Sequence, residues 1–222
     1  DRSPSRGLGD VYKRQAMSGL VMQLLTQNRF VEPSTTGTTE WAGLGLLFVL
    51  WIAPTASILV KMMGAVAFSF IGTIVFFLFL RRVTLRSSLI VPIVGIMVGA
   101  VISAVSSFFA LQADMLQQLG IWFMGSFTSV YKGQYEVLWL VLVVLAAVFI
   151  YADRLTVIGL GEDIATNIGL NYNRMLLLGT SLIAVATGVV TVVVGSLPFL
   201  GLIVPNACLL YTSPSPRDGL LS

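Results

Sequence analysis

The chain has 222 residues, of which 56% are hydrophobic and only 10% charged, with a mean hydropathy of +0.92. A soluble domain carries about 25% charged residues, so this composition excludes a water-exposed globule and predicts a membrane protein. The chain lacks histidine and has a single cysteine, Cys208, which excludes Cys/His zinc sites and an internal disulfide. We therefore expect no metal site and no cofactor. The net charge of +3 forms no basic cluster away from the ends, so nucleic acid is not expected as a partner.

The two ends of the chain are polar and rich in turn-forming residues, unlike the apolar sequence between them. Residues 5–15 and 208–218 can be encoded by the two strands of one DNA element, because the reverse complement of codons for the first string encodes the second. We therefore expect residues 1–15 and 208–222 to be translated sequencing adapter, not natural disordered tails. The natural segment is then a single transmembrane domain, residues 16–207, truncated at both ends.

Apolar stretches predict an all-α fold, a polytopic bundle of transmembrane helices. Crossing about 30 Å of hydrocarbon takes about 20 apolar residues. Residues 57–80, 88–110, 134–152 and 175–194 meet this length on their own. Residues 16–25 form the tail of a further span, residues 41–56 cross if Trp41 lies at the interface, and another apolar helix begins beyond Gly195. About six to seven spans are therefore expected.

Basic residues predict the orientation of these spans. If the loop at 26–40 is cytoplasmic, six arginines lie inside and only Lys61 and Lys132 outside, as the positive-inside rule favours. The inside set is Arg29, Arg81, Arg82, Arg86, Arg154 and Arg174. Residues 153–173 then form a cytoplasmic loop, and the polar outer connection 111–133 forms a short helix at the membrane surface.

The predicted spans carry no charged residue near their centres. Carriers driven by ion gradients usually place ionisable groups inside the bilayer. We therefore expect the energy for transport to come from a partner protein on the cytoplasmic side.

Residues 155–170 predict one short amphipathic helix in the cytoplasmic loop. Gly161 precedes Glu162 and Asp163 in a first helical turn, and Gly169 ends the helix. Such a helix suits docking into a groove of another protein, although a plain surface connector is the alternative. The loop of residues 26–40, with its threonines and a glycine, is interpreted from residue types as solvent-exposed.

Two features of the spans leave alternatives open. Gly95, Gly99, Ser103 and Ser107 recur at intervals of four on one helix face, where they form either a packing seam or the lining of a translocation path. Residues 195–206 hold two prolines and two glycines that interrupt a helix. A break of this kind lines a cavity or belongs to bent-helix packing.

Together these segments resemble the permease family of bacterial ABC importers for iron-siderophore complexes, haem and cobalamin. The family has an early loop motif L-Q-x-x-x-x-N-x-x-x-E-P, a cytoplasmic motif G-E-x-A-x-x-x-G-L, a later motif G-x-I-x-F-x-G-L-x-x-P-H and an outer W-x-x-G-S. The matching residues are Gln23, Asn28, Arg29, Glu32 and Pro33; Gly161, Glu162, Ala165, Gly169 and Leu170, with Asp163 between Glu162 and Ala165; Gly195, Phe199, Gly201, Leu202 and Pro205; and Trp122, Gly125 and Ser126. The cytoplasmic motif has one extra residue, Pro198 precedes Phe199, and Asn206 stands where many relatives have histidine.

The resemblance implies one subunit of a dimer of identical or paralogous permeases in the bacterial inner membrane, each with roughly ten spans. It implies that the helix at 160–170 seats in an ATP-binding cassette subunit. It also implies that a periplasmic or lipid-anchored siderophore-binding protein docks on the outer side. The chain lacks a G-x-x-x-x-G-K-[ST] phosphate loop, so no ATP hydrolysis and no catalytic residue are expected.

Asn206 and Pro198, together with residues 26–43, are most similar to the subgroup that imports ferric catecholate-type or related siderophores. The alternatives are a haem or cobalamin permease, a secondary transporter with its ionisable group outside this segment, and a purely structural membrane subunit.

Overall fold

The computed structural model describes residues 16–82, 90–117, 120, 139–196 and 198–212. These ranges are helical apart from short connections and contain no β-strand, so the predicted all-α fold is confirmed. The helices are α1 (Ala16–Thr26), α2 (Thr38–Ile52), α3 (Ile58–Arg82), α4 (Ile90–Gln112), α5 (Trp139–Ile150), α6 (Ala152–Ile158), α7 (Glu162–Asn167), α8 (Tyr172–Val193) and α9 (Leu200–Thr212). A 3₁₀ helix, Ser34–Thr36, precedes α2.

Three of these helices are long and apolar enough to cross a membrane, over Ile58–Leu80, Ile90–Gln112 and Tyr172–Val193. They match the predicted spans 57–80, 88–110 and 175–194. Helix α5 supplies 12 residues of the predicted span 134–152, whose first part lies outside the described residues. The predicted surface helix in 111–133 lies largely outside the described residues as well.

Helix α3 packs against α2 on one side and α8 on the other. Glycines bring these backbones together: a Cβ added at Gly45 would lie 2.5 Å from the backbone oxygen of Gly64, and one at Gly188 would lie 2.8 Å from the Val66 backbone. Small residues allow membrane helices to approach closely, so that packing and weak backbone contacts hold them together. The position of α2 against α3 is thereby fixed.

Helix α2 starts deeper in the bundle than expected. Trp41 packs on Gly72, the fifteenth of the 25 residues of α3, where an added Cβ would lie 2.2 Å from the indole. The expectation that Trp41 lies at the membrane interface, and that residues 41–56 form a whole span, is therefore wrong. Helix α2 is a 15-residue helix whose first turn lies level with the middle of α3.

A large core joins α1 and the residues that follow it to the helices from α3 to α8. Its buried members are Val21, Met22 and Leu25 from α1, Val31 after α1, Phe76 and Phe77 from α3, Val91 from α4, Val148 from α5, Leu155 and Ile158 from α6, Ala165 from α7, and Met175 and Ile183 from α8. The short helix predicted between Gly161 and Gly169 is α7, and a separate helix, α6, precedes it because residues 159–161 turn the chain between them.

Candidate functional site

Helix α7 is held between two glycines whose conformations other residues avoid. Gly161 has φ 118° and ψ 161°, a region that is essentially reserved for glycine. Gly169 has φ 87°, and around it Leu170 N–H donates to Ala165 O at 3.0 Å while Gly169 N–H donates to Thr166 O at 2.9 Å. These two bonds form a Schellman motif, which ends the helix sharply. The six residues of α7 therefore have fixed limits in both directions.

One side of α7 is anchored and the other is free. Ala165 is fully buried in the core with α1, α6 and α8, and Leu170 packs at its edge. Glu162 and Asp163 are exposed in the first turn, where their charges complement the positive end of the helix. The predicted short helix therefore lies at the surface of the described part of the chain, where its buried side attaches it to the core.

The turn before α7 lies against the end of α1. A Cβ added at Gly159 would lie 2.9 Å from a methyl group of Leu24, and one added at Gly161 would lie 3.4 Å from Gln27 Nε2. Gln27 itself has φ 51°, so the chain turns sharply as it leaves α1. The cytoplasmic motif and the early loop motif, more than 130 residues apart in sequence, are neighbours in space.

Residues 27–37, the 27–37 segment, connect α1 to α2 through the interior of the protein. Most of its side chains are buried, and Val31, Glu32 and Thr36 have no exposed surface. Its far end, Gly37, packs on Gly99, the tenth of the 23 residues of α4. The interpretation of residues 26–40 as a solvent-exposed loop is therefore wrong. Irregular backbone at this depth is tolerated because protein surrounds it.

Hydroxyl groups make this burial possible. The Thr35 hydroxyl accepts from Glu32 N–H at 2.9 Å and lies 3.0 Å from Glu32 O, to which it donates. Thr36 Oγ1 donates to Pro33 O at 3.0 Å and lies 2.9 Å from Thr38 Oγ1, which is 3.4 Å from Thr73 Oγ1 of α3. Threonine side chains that bond to nearby backbone replace water for a non-helical segment.

Glu32 links this segment to α9. Its Oε1 accepts from Phe199 N–H at 2.5 Å and from the Ser34 hydroxyl. The N–H groups of Gly201 and Leu202, in the first turn of α9, also interact with this carboxylate. Among the described residues, Oε2 of the same carboxylate has no hydrogen-bond partner.

Glu40, in α2, is half-buried against Gly99 and accepts from Thr39 Oγ1 at 2.9 Å. The expectation that the bundle interior carries no charged residue is therefore wrong, because Glu32 and Glu40 were assigned to a loop that turns inward.

The start of α9 is strained and closely packed. Phe199 has φ 63°, a left-handed conformation that is rare for a bulky residue, and its ring is 53% exposed. Pro205 lies inside α9, so it gives no N–H to the carbonyl of Gly201. That carbonyl points at Gly19 of α1, where an added Cβ would lie 2.1 Å from the oxygen. Gly19 is thus required for contact between α1 and α9, although no motif marked it.

The four small residues that recur on one face of α4 form two pairs with different surroundings. Gly95 and Gly99 are buried against backbone of the 27–37 segment, and a Cβ added at Gly95 would lie 2.1 Å from Thr35 O. Ser103 and Ser107 are half-buried, and Ser107 Oγ donates to Ser103 O at 2.9 Å. The glycine contacts favour a packing seam, and a role of the serines in a translocation path stays a prediction.

The remaining residues of the motifs lie around these contacts. Gln23 and Asn28 are buried, and Asn28 Oδ1 accepts from Phe30 N–H at 3.0 Å. Arg29 is exposed, with its carbonyl 3.5 Å from Asn206 Nδ2 of α9. Gly195 is buried with φ 90°, whereas Pro198 is exposed. The outer motif residues Trp122, Gly125 and Ser126 lie outside the described residues.

The FecCD transport family matches residues 15–222 of this chain. The petrobactin import system permease protein FatD of Bacillus anthracis is 60% identical over 205 residues, which cover 92% of this chain and 61% of FatD. The ferric-anguibactin transport system permease protein FatD of Vibrio anguillarum is 39% identical, over 86% of this chain and 61% of that protein. The chain thus spans about three fifths of the length of these relatives.

A solved structure described as an inward-facing conformation of a metal-chelate type ABC transporter has a similar fold. Its TM-score is 0.74 at 21% identity, and the match covers 90% of this chain and 65% of the other. Its polytopic helical architecture agrees with the expected fold class. The family match, which extends over nearly the whole sequence, agrees with the expected permease family, and the chain belongs to the FecCD transport family.

Proposed function

We propose that this chain is the membrane-spanning subunit of an ATP-driven importer that carries ferric siderophore complexes across the bacterial cytoplasmic membrane. Membership of a transport family supports this role. Relatives whose names specify petrobactin import and ferric-anguibactin transport support an iron chelate as substrate, and we keep the ferric catecholate type as the expected subclass. Three helices of membrane-spanning length support a multi-pass location.

The exposed face of α7 and its flanks carries this proposal. Ile164 and Ile168 are 43% and 64% exposed, and their spacing of four places them along one side of α7, while Leu160 in the preceding turn is 59% exposed. The acidic pair of the first turn lies beside them, and the buried anchor on the opposite side fixes their position. An apolar stripe on a rigid helix suits a groove in another protein. We propose the ATP-binding cassette subunit as the occupant of this surface.

The other partners follow from the same assignment. A second permease, identical or paralogous, completes the translocation path, and a periplasmic or lipid-anchored siderophore-binding protein delivers the substrate on the opposite side. The motif residues Gly161, Glu162, Asp163, Ala165, Gly169 and Leu170 form the proposed coupling element. The chain itself is proposed to lie in the lipid bilayer, to bind no nucleic acid and to have no hydrolytic site.

The test uses the full-length permease expressed with its ATPase subunit. Ile168→Ala removes an exposed apolar group from the proposed interface, where such an anchor contributes about 1–2 kcal/mol. We expect at least about a fivefold loss in ATPase affinity and a parallel loss of ferric siderophore uptake. Leu111→Ala is the matched control. Leu111 is a similarly exposed aliphatic residue (61%) near the C-terminal end of α4, outside the proposed interface. Equal ATPase affinity for both variants would remove the docking assignment.

A second candidate, a carrier driven by an ion gradient, is favoured by one observation. Glu32 is an ionisable group in the interior of the bundle, and proton-coupled carriers place groups of this kind inside the bilayer. Proteoliposomes that hold the full-length permease without its ATPase separate the two functions. Uptake driven by an imposed proton gradient would establish the second candidate, whereas uptake that appears only with the ATPase and internal ATP supports the first.

A further inference from the structure

We propose that the 27–37 segment transmits displacement of α6 and α7 to α9, and that Glu32 is the positioning residue that holds α9 to it. This inference rests on the proposed function, because it assumes that the ATPase moves α7. It assigns a mechanical role to a segment whose sequence resembles an ordinary polar loop.

The input to this segment lies at the end of α1. Leu24 packs into the turn at Gly159, and Gln27 lies beside Gly161, so α7 meets the start of the segment directly. The side chain of Gln27 reaches Gly161, where Nε2 would lie 3.4 Å from an added Cβ, and Leu24 lies closer still to Gly159, so a shift of α7 acts on the end of α1 through these two side chains. Compact protein interiors transmit such displacements because they deform little.

Internal bonds make the segment stiff. Asn28 N–H donates to Gln23 O at 3.0 Å, Thr35 N–H donates to Glu32 O at 3.1 Å, and Thr38 N–H donates to Pro33 O at 3.0 Å. These bonds cover residues 23–28 and 32–38, and Val31 N–H donates to Asn28 O at 3.3 Å between them. Together with the bonds of the threonine side chains they stiffen both ends of the segment.

The output lies at the first turn of α9. The residue before this helix, Phe199, has no side-chain acceptor with which to cap the free N–H groups that every helix start leaves. Glu32 supplies the missing acceptor from 167 positions earlier in the chain, and its negative charge lies at the positive end of the helix. The left-handed Phe199 persists where its surroundings hold it, and Glu32 is one of those surroundings.

One further contact joins α9 to the segment, because Asn206 Nδ2 lies 3.5 Å from Arg29 O. The contacts of Glu32 and Arg29 are spread over two turns of α9, so the helix is held to the segment at more than one point. The Gly201 carbonyl lies against Gly19 and joins α9 to α1, the helix that leads into the segment.

The test compares Glu32→Gln with Glu40→Gln in the assembled transporter that contains the full-length permease. Both variants remove one buried carboxylate charge, but Glu40 contacts Thr39 and Gly99 and not α9. A nitroxide label at Ile203→Cys, on the exposed side of α9, reports movement of that helix in an otherwise cysteine-free background. ATPase binding, ATP hydrolysis, uptake and the electron paramagnetic resonance spectrum are measured with and without trapped ATP.

We expect the Glu32→Gln complex to bind the ATPase and hydrolyse ATP like the Glu40→Gln complex. Its uptake per ATP should fall about tenfold, within the usual range of coupling between sites, and the nucleotide-dependent change of the label spectrum should disappear. If that change persists, or if both variants lose it equally, the inference is overturned.

If the unsubstituted permease binds no ATPase at all, the proposed function is refuted, and the proposed transmission through the 27–37 segment is refuted with it. Should Glu32→Gln lower the yield of folded permease, Glu32→Asp keeps the charge on a shorter side chain. The nucleotide-dependent change of the label spectrum must then be smaller in Glu32→Asp than in Glu40→Asp. An equal change would refute the proposed transmission through the 27–37 segment.

Discussion

Replacing Gly161 by alanine is expected to weaken ATPase binding while leaving the membrane helices folded. The position has φ 118° and ψ 161°, which a residue with a Cβ adopts only at a cost of about 1–3 kcal/mol. The added Cβ would lie 3.4 Å from Gln27 Nε2, an ordinary contact, so the cost arises from backbone strain and not from a clash. A helix of six residues is too short to hold its own shape against such strain.

The strained backbone relaxes when α7 is free and must be restored when the ATPase binds. The affinity for the ATPase subunit therefore falls by the same free energy, which corresponds to about 5- to 150-fold. Titration of the detergent-solubilised full-length permease with purified ATPase measures this factor directly. The melting temperature of the permease alone, followed separately, should change little because α7 is a surface element.

Gly169→Asn is the matched control for this prediction. Gly169 has φ 87° with no atom within 4 Å of an added Cβ, and asparagine tolerates the left-handed region better than other residues. Its ATPase affinity should stay within about a fewfold of the unsubstituted permease, since the strain is small. An unchanged affinity in Gly161→Ala, or an equal loss in both variants, would refute the link between the Gly161 conformation and docking.

Three further substitutions probe the packing that supports the site. Gly19→Ala places a Cβ 2.1 Å from a backbone carbonyl of α9, so it should lower stability by about 1–3 kcal/mol and lower the melting temperature, whereas Gly120→Ala, with open space around it, should not. Asn171→Ala removes the side chain that caps α8 by accepting from Arg174 N–H at 3.1 Å; a loss of about 1 kcal/mol in thermal stability with normal ATPase binding is expected. Gly99→Leu should displace the turn before α2 and abolish uptake, and retained uptake in this variant would contradict a packing seam at that position.

The membrane-spanning helices and the ends of α7 were predictable from the sequence, through long apolar runs and through glycines at helix ends. Helices α3, α4 and α8 each contain enough consecutive apolar residues to satisfy the length rule, and nothing in their neighbourhood competes with that pattern. The limits of α7 were also predictable, since Gly161 and Gly169 bracket it and both adopt conformations that glycine tolerates. In each case the signal is local, within one helix or its ends.

The path of residues 27–37 was not predictable in this way, because its burial depends on distant partners. A stretch with Asn, Arg, Glu and several threonines is typical of a solvated loop. Its threonines satisfy backbone groups internally, and the first turn of α9, 167 residues away, offsets part of the cost of burying Glu32. A run of threonines next to a glycine, with no lysine in it, is the pattern that favours a buried segment. Composition alone does not distinguish a buried segment from a solvated loop.

The two buried carboxylates, Glu32 and Glu40, have to be considered as possible proton carriers before a mechanical source of energy for transport is accepted. A proton carrier has to exchange its proton with water on each side of the membrane in turn. Glu32 has no exposed surface, and its Oε1 accepts from the backbone of α9 and from a serine hydroxyl, so the carboxyl group is held within a contact between two parts of the chain. Glu40 is bonded to its neighbour Thr39 and packs on Gly99, within a helix contact. Both groups are therefore better explained as anchors between helices than as steps in a proton path, and a mechanical input at α7 is the more economical source of motion.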